Sequence, residues 1–290
     1  MKLTSLIYPF IVMTVLSGQA RAADLDTIIP AQSEDPYVPV EVGSGWYIRG
    51  DVSYDLATST TGNYRTYSLV APAPAAPVFN YNTNAYDQIK FVSGKTISAG
   101  FGYQLNAFVR GDLTVGSWSR LVNGRDKSVG VCVAGAPAGA TDCRSEETGK
   151  AAAWELMANG YADLGTYVGI TPYLGAGAGF THVSYKDITS RDFCTDAAGA
   201  DVLGGTCTFA PAVHSGLGSY RLTMALMAGA SYDISQNTKF DLGYRYTRVA
   251  GGNMYNFDAA SIAAGASGPQ GTDKGFSTHE IKAGFRYEIW

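Results

Sequence analysis

The sequence has few charged residues and no long apolar run after its N-terminal segment. Only 16% of its 290 residues are charged, and 25 acidic residues outnumber 21 basic ones. No Lys- or Arg-rich run occurs, which argues against a nucleic-acid-binding protein. No later segment approaches the ~18 consecutive apolar residues of a membrane-spanning helix. With 46% hydrophobic residues, the chain is too apolar to be disordered.

The first 22 residues have the pattern of a secretory signal peptide. Lys2 supplies the positive charge, Leu6–Leu16 is apolar, and residues 20–22 (Ala-Arg-Ala) fit an A-x-A cleavage site. The apolar stretch has about 11 residues, whereas a spanning helix needs about 20, so cleavage is favoured over an uncleaved anchor. We predict that residues 1–22 are removed. Residues 23–44, which are rich in proline and acids, are predicted to form a flexible periplasmic arm.

Cysteine and histidine are scarce, which limits metal and catalytic chemistry. The four cysteines are Cys132, Cys143, Cys194 and Cys207. Their spacing lacks the close C-x2-C pairs of zinc sites, so we predict no metal site and no cofactor. In an exported protein an even number of cysteines indicates two disulfides, for which three connectivities exist. Sequential pairing, Cys132 with Cys143 and Cys194 with Cys207, closes two local loops.

Eight segments alternate apolar and polar residues, which is the period of a strand with two different faces. They are Trp46–Asp55, Lys95–Leu105, Val109–Ser119, Ala153–Leu164, Thr171–Tyr185, Arg221–Ile234, Lys239–Tyr246 and Glu280–Ile289. The connections between them are alternately long and short, with about 30 residues in each long one. This pattern predicts an all-β fold over residues 45–290. The predicted fold is an eight-stranded antiparallel up-and-down transmembrane β-barrel with four long outer loops and short periplasmic turns.

The charged residues of these segments share the face opposite the apolar one. A soluble barrel or sandwich would put polar residues outside, but charges of both signs on one face fit a narrow interior in which they pair. Eight strands enclose a space that side chains can fill, so we predict a plugged lumen. The predicted lumen network contains Arg49, Asp51, Arg110, Asp112, Arg221, Asp233, Asp241, Arg245, Arg286 and Glu288.

Three stretches carry a family resemblance. They are residues 45–54 (GWYIRGDVSY), 171–179 (TPYLGAGAG) and 285–290 (FRYEIW). The first two resemble small alphaproteobacterial outer-membrane proteins of the porin-family, heat-resistant-agglutinin-like type. The last resembles the C-terminal signal of outer-membrane barrels, which implies that the barrel-assembly machinery recognises Phe285, Tyr287 and Trp290. The resemblance implies an outer-membrane barrel in contact with lipid and lipopolysaccharide, but no single function.

Two classes of function fit this prediction. The first is a non-enzymatic barrel that acts in envelope structure or in surface interaction, where its outer loops meet a host or other surface ligand. The alternative is a narrow passive channel for small solutes, because glycines occupy parts of the polar face: Gly100, Gly102, Gly175 and Gly177.

A remote alternative is a barrel enzyme that modifies lipid A. Lipid A deacylases carry a His-x-Ser pair on a lipid-facing strand, and His182 and Ser184 form such a pair. The residues after Ser184 differ from the continuation in that family. We therefore expect no enzymatic activity and interpret His182 as a residue of the membrane interface.

Overall fold

The computed structural model describes residues 45–69, 78–129, 137–206 and 211–289. The predicted signal peptide and arm lie outside this part, as do Cys132, Cys207 and Trp290. The described residues form an all-β, antiparallel, up-and-down fold with one short helix, α1 (Ala259–Ala264). No helix among them is long and apolar enough to cross a membrane.

Seventeen strands make up the sheet. They are β1 (Trp46–Asp55), β2 (Thr58–Thr60), β3 (Gly62–Leu69), β4 (Phe79–Ala85), β5 (Gln88–Phe91), β6 (Gly94–Asn106), β7 (Val109–Val129), β8 (Asp142–Asp163), β9 (Ile170–Tyr185), β10 (Ile188–Thr195), β11 (Asp201–Thr206), β12 (Ala212–Gly216), β13 (Gly218–Asp233), β14 (Thr238–Val249), β15 (Gly252–Asp258), β16 (Pro269–Asp273) and β17 (Phe276–Ile289).

Eight of these strands correspond to the alternating segments, and we call them the ring strands: β1, β6, β7, β8, β9, β13, β14 and β17. Each pairs with the next in this order. The last strand, β17, pairs back with β1, from Trp46 opposite Ile289 to Asp55 opposite Glu280. The short connections all lie at one end, which we call the short-turn end. The other end is the long-connection end.

The predicted long loops contain further strands, which corrects the sequence prediction. The strand β7 continues to Val129 instead of ending at Ser119, and β8 begins at Asp142 instead of Ala153. The smaller strands β2–β5, β10–β12, β15 and β16 add to the sheet at the long-connection end. These strands escaped prediction because they are short and their alternation is broken by bulges, for example between Phe193 and Thr195.

The ring strands expose their apolar face and bury their polar face, the reverse of the arrangement in a soluble protein. Along β1, burial alternates strictly, with exposed Trp46 and Ile48 on one face and buried Tyr47 and Arg49 on the other. The predicted faces of β9 are also observed, because Leu174 is exposed and Gly175 is turned inward. An apolar exterior over a charged interior is typical of a barrel in a lipid bilayer.

At the long-connection end the interior is apolar. We call this cluster of buried side chains the upper core. It consists of Tyr86, Ile89, Phe91, Trp118, Val122, Ala151, Ala153, Val183, Tyr185, Ile188, Val249, Met254, Tyr255 and Phe276. Its members come from both ring strands and smaller strands. Phe91 of β5, for example, has its ring centroid 4.5 Å from that of Phe276 on β17. The interior therefore changes from charged to apolar along its length.

Candidate functional site

The charged interior is organised around Arg49, which is buried. Its Nη2 lies 2.8 Å from Asp51 Oδ1, and its Nε donates to Asp51 Oδ2 at 3.0 Å. Its Nη1 lies 2.8 Å from Asp112 Oδ2 and donates to the Tyr161 hydroxyl at 3.0 Å. Lys282 Nζ lies 3.0 Å from the Asp51 carboxylate, on the other side of the pair. The strands β1, β7, β8 and β17 are thus linked across the interior.

A second group of charges surrounds Arg245. Its Nη1 lies 2.6 Å from Glu155 Oε1 and 3.5 Å from Glu280 Oε2. Nearby, Arg286 Nη2 donates to Ser231 Oγ at 3.1 Å and lies 3.6 Å from Asp241 Oδ1. Arg245 therefore reaches a carboxylate on β8, across the interior, and one on the neighbouring β17, whereas Arg286 faces a carboxylate on the neighbouring β14.

Tyrosine rings cover the guanidinium groups that carboxylates do not fully occupy. Arg110 contacts both oxygens of Asp163 through Nε at 3.1 Å, and its Nη1 and Nη2 have no hydrogen-bond partner among the described residues. Its guanidinium carbon lies 4.1 Å from the Tyr161 ring centroid and 4.9 Å from that of Tyr173. A cation over a ring face is favourable when water is displaced. Arg286 lies over Tyr47 in the same way, at 5.3 Å.

Two more pairs mark the boundary with the upper core. Arg120 Nη2 lies 2.8 Å from Asp55 Oδ2. Arg221 Nη1 lies 2.7 Å from Asp273 Oδ2, which also accepts from the Tyr185 hydroxyl at 2.9 Å. Arg120, Asp55 and Asp273 were absent from the predicted network. Alternation on β1 would have placed Asp55 inward, but Arg120 and Asp273 lie beyond the predicted strands.

Two predicted lumen residues do not lie in the buried network. Asp233 and Glu288 stand at the short-turn end, where their side chains are 31% and 32% exposed. Both pair with Lys239, at 2.7 and 3.7 Å. They belong to the rim of the interior, because each lies near the end of its strand, where solvent reaches the side chain.

The interior glycines make room for neighbouring side chains. A Cβ at Gly102 would lie 2.3 Å from the Tyr47 ring, and one at Gly177 would lie 2.2 Å from Asn159 Oδ1. At Gly175 a Cβ would lie 2.7 Å from the Tyr161 ring, and at Gly100 it would lie 2.6 Å from Thr114 Cγ2. Each glycine thus makes room for the side chain of the residue paired with it on the adjacent strand.

At the long-connection end, Glu147 joins three segments. Its Oε1 accepts from the Tyr255 hydroxyl of β15 at 2.7 Å and from the Tyr86 hydroxyl, between β4 and β5, at 3.1 Å. Burial, together with the nearby carboxylates of Asp126 and Asp192, raises the pKa of Glu147 to about 8. Burial also raises the pKa of Asp126. Glu147 is therefore a neutral acid near pH 7 that holds the upper strands together.

The three histidines lie in aromatic surroundings. The His182 ring is 6.0 Å from Trp154 and 4.6 Å from Tyr220, between centroids. His279 accepts or donates a hydrogen bond at Nδ1 with the Tyr244 hydroxyl. His214 is buried beside Tyr255, with ring centroids 5.3 Å apart. No group of His, Cys, Asp or Glu among the described residues has a metal-binding arrangement.

The described cysteines lie opposite each other on neighbouring strands. Cys143 of β8 is in register with Cys194 of β10, and both are buried. Neither is a free cysteine. Each predicted pair includes one cysteine outside the described residues, Cys132 or Cys207, so the pairing stays a prediction.

The predicted assembly signal is described only in part. Phe285 and Tyr287 are exposed on the apolar exterior of β17, at 57% and 48% of their full area. Phe285 contacts Phe240 of β14, with ring centroids 5.3 Å apart. Trp290 lies outside the described residues.

Some solved structures are similar to the chain at low identity. Neisserial surface protein A is 16% identical, with a TM-score of 0.43, over 86% of this chain and 100% of its own. The outer membrane protein OprG from Pseudomonas aeruginosa is 14% identical, with a TM-score of 0.38, over 85% of this chain and 98% of its own. These are outer-membrane proteins.

Sequence relatives are closer. No protein-family model matches the chain. A Rickettsia felis protein provisionally named an adhesin is 24% identical over 86% of this chain and 90% of its own. Uncharacterized proteins of Brucella suis and Brucella abortus are each 34% identical over 285 residues, which is 95% of this chain and 95% of theirs. At this identity and coverage, the chain belongs to the family of these Brucella proteins.

Proposed function

We propose that the chain is a non-enzymatic outer-membrane protein, exported with a cleaved signal peptide, that forms a closed eight-stranded β-barrel with a side-chain-filled lumen. The short-turn end faces the periplasm, and the long-connection end faces outward. The upper strands act in surface interaction. The circular pairing of the ring strands and their apolar exterior support the barrel.

The upper core is the observation that carries the non-conducting role. Phe91 and Ile89 of β5 are fully buried inside the ring, and Phe276 of β17 is 1% exposed. Side chains from several directions meet there, above a charged interior in which tyrosines cover the arginines. Water-filled pores belong to barrels of about 16–18 strands, which leave the centre open. A lumen filled by both clusters favours a structural or binding role over transport.

The strands at the long-connection end support a role in surface interaction. Flexible loops would pay an ordering cost on binding, whereas paired strands present a preformed surface. Counted in strand pairings, the hairpin β3–β4 is the part of the sheet furthest from the ring strands. Among the described strands, β4 pairs only with β3. Its exposed side chains include Thr66, Asn80 and Asn82. The adhesin name of the Rickettsia relative agrees with this role.

The channel question is tested by conductance. Purified protein in a planar bilayer should give no stable large openings, and liposomes that carry it should not swell in disaccharide solutions. A general porin measured beside it is the positive control. Steady openings of porin size would replace this proposal with the channel alternative.

Adherence is tested with a hairpin deletion. The Tyr86 amide donates to the Gly62 carbonyl at 3.0 Å, so a two-residue turn can replace residues 63–85 and keep the base closed. A Gram-negative host without other adhesins should adhere to mammalian cells when it expresses the full chain, and adherence should fall to the empty-vector level with the deletion. Heat-modifiable migration checks that both forms fold. Equal adherence of the full chain and the empty vector would reject the surface role.

A further inference from the structure

The lipid-facing exterior contains a groove between β9, β13 and β14. It consists of two adjoining depressions of 580 and 450 Å³ that share Leu226 and Tyr246. The depression arises because β9 carries the small Ala176 and Ala178 opposite the larger Leu226 and Met224 of β13. The groove is apolar along its length and ends near the long-connection end of β14.

Two tyrosines form a fixed wall of this groove. Tyr244 and Tyr246 face outward on β14, and both hydroxyls are bonded to β17. The Tyr246 hydroxyl lies 2.9 Å from Ser277 Oγ, and Tyr244 is bonded to His279 Nδ1. The polar ends of the rings therefore turn away from the groove, and the ring carbons line it. A wall held in this way is preorganised for an apolar chain.

A positively charged side chain, Arg248, lies at the outer end of the groove. Arg248 follows Tyr246 on the same outward face and lines the deeper depression. Its Nη1 donates to Ser277 Oγ at 3.4 Å and its Nη2 to the Lys274 carbonyl at 3.3 Å. Arg248 makes no ion pair with any described carboxylate. Lys274 beside it is also exposed. The groove thus combines an apolar depression with the positive charge of Arg248, and the exposed Lys274 lies next to Arg248, where a bilayer would present its headgroups.

We propose that this groove binds one acyl chain of a phosphorylated outer-leaflet lipid, and that Arg248 and Lys274 hold its phosphate. Guanidinium and ammonium groups at a membrane surface recognise anionic headgroups, and arginine can bind phosphate through two N–H groups. The inference rests on the proposed barrel and its orientation, because only that orientation places Arg248 in the outer leaflet.

The test uses the full chain in nanodiscs and measures binding of lipid A and of its dephosphorylated form. The wild-type protein should bind the phosphorylated form more tightly. Arg248→Gln should weaken binding of that form about fivefold, which is the contribution to affinity of one basic residue near an anionic surface. Arg125→Gln is the matched control, because Arg125 is an exposed arginine on β7, away from the groove. It should bind as the wild type does.

The groove itself is tested by filling it. Ala178→Phe should lower the binding of both lipid forms, whereas Ala162→Phe, on the exterior of β8 outside the groove, should not. Both side chains face lipid, so the barrel should keep its heat-modifiable migration. Equal binding by all four variants would overturn the proposal and indicate unspecific lipid contact. A dimer that Ala178→Phe disrupts would also overturn it, in favour of a second copy in the groove.

Failure of the barrel proposal looks different. A chain that lacks heat-modifiable migration, or that conducts like a porin, contradicts the proposed function. A folded, non-conducting chain without a preference for phosphorylated lipid contradicts only the lipid site.

Discussion

The two halves of the interior are filled by different kinds of side chain, charged near the short-turn end and apolar near the long-connection end. Near the short-turn end, inward side chains of β7 are polar, such as Arg110 and Asp112. Further along the same strand, Trp118 and Val122 face inward and belong to the upper core, with the buried Arg120 between them. Where the exterior is apolar the interior is largely charged, and at the long-connection end, where the exposed residues of β7 include Asn123 and Arg125, the interior is largely apolar. The surroundings of each half therefore decide which face of a continuous strand is hydrophobic.

This difference assigns separate tasks to the two halves. Buried ion pairs carry a large desolvation cost, so an intact pair adds little net stability, whereas loss of one partner leaves an uncompensated buried charge. Buried apolar area, by contrast, stabilises by removing surface from water. We expect the charged half to be destabilised when one member of an ion pair is removed. We expect the apolar half to be destabilised when a large buried side chain is truncated.

The largest effect is expected from Arg49→Ala in the charged half. The substitution leaves Asp112 without the arginine that lies 2.8 Å away, in a buried position. Breaking a buried pair in this way costs about 3–5 kcal/mol of unfolding free energy. Urea titration of the heat-modifiable form measures this loss. Lys239→Ala at the rim, where the side chain is 22% exposed, is the control and should cost less than about 1 kcal/mol. Equal losses would contradict the division between network and rim.

In the apolar half, Phe91→Ala should lower the stability of the upper strands by a comparable free energy. Truncation of a buried phenylalanine costs about 3–5 kcal/mol. Because Phe91 contacts Phe276 and Tyr185 above the charged network, we expect faster proteolysis of the upper strands while the ring remains folded. Ile97→Ala, on the exterior of β6, is the control and should not alter proteolysis. Complete loss of heat-modifiable migration with Phe91→Ala would contradict the independence of the two halves.

The sequence pattern predicted the alternating strands that carry the charged half, but not the short strands that contribute to the apolar half. Strict alternation from Trp46 to Asp55 defines both faces of β1, with an apolar exposed face and a polar buried one. Beyond Ser119 the residues Leu121 and Val122 are both apolar, and Leu121 is exposed whereas Val122 is buried. In this part of β7, residue type no longer indicates which side chain is buried and which is exposed. The upper strands therefore looked like loops.

Contacts between distant residues also escaped prediction. Tyr161 and Tyr173 had no distinctive signal, yet their rings flank Arg110. Only the register of β8 with β9 brings them together. Likewise, Asp273 pairs with Arg221 from a strand that the alternating pattern did not include. Residue types could be assigned to a face from the sequence, but partners across the interior required the strand register.

The predicted disulfides should affect only the upper half. Each would close a loop of about a dozen residues, which is worth roughly 2–3 kcal/mol in the chain-entropy model. Cys132→Ser combined with Cys143→Ser should increase protease cleavage near these residues and leave the ring strands folded. Peptide mapping under non-reducing conditions identifies the pairs. A bond between Cys143 and Cys194, or between Cys132 and Cys207, would contradict the sequential pairing.

The most local effect is a pH dependence confined to the upper half. The folded-state pKa of Glu147, about 8, lies above its ordinary value of 4.5. Between these values the folded state binds the proton that the unfolded state has released, so stability falls as pH rises. The contribution is complete below about pH 4.5 and lost above about pH 8. Ionised Glu147 would then face Asp126 and Asp192, and this repulsion should loosen the strands that Tyr86 and Tyr255 join to it.

Amide hydrogen exchange of the upper strands at pH 5 and pH 9, corrected for the intrinsic exchange rate, measures this effect. The wild type should lose protection at pH 9, and Glu147→Gln should remove most of that loss, because the amide stays neutral and still accepts from the tyrosine hydroxyls. The matched control is Glu146→Gln, whose carboxylate is 36% exposed and pairs with Arg125 at 2.8 Å. That variant should keep the wild-type pH dependence. If Glu147→Gln loses as much protection as the wild type, the proton on Glu147 does not control the upper half.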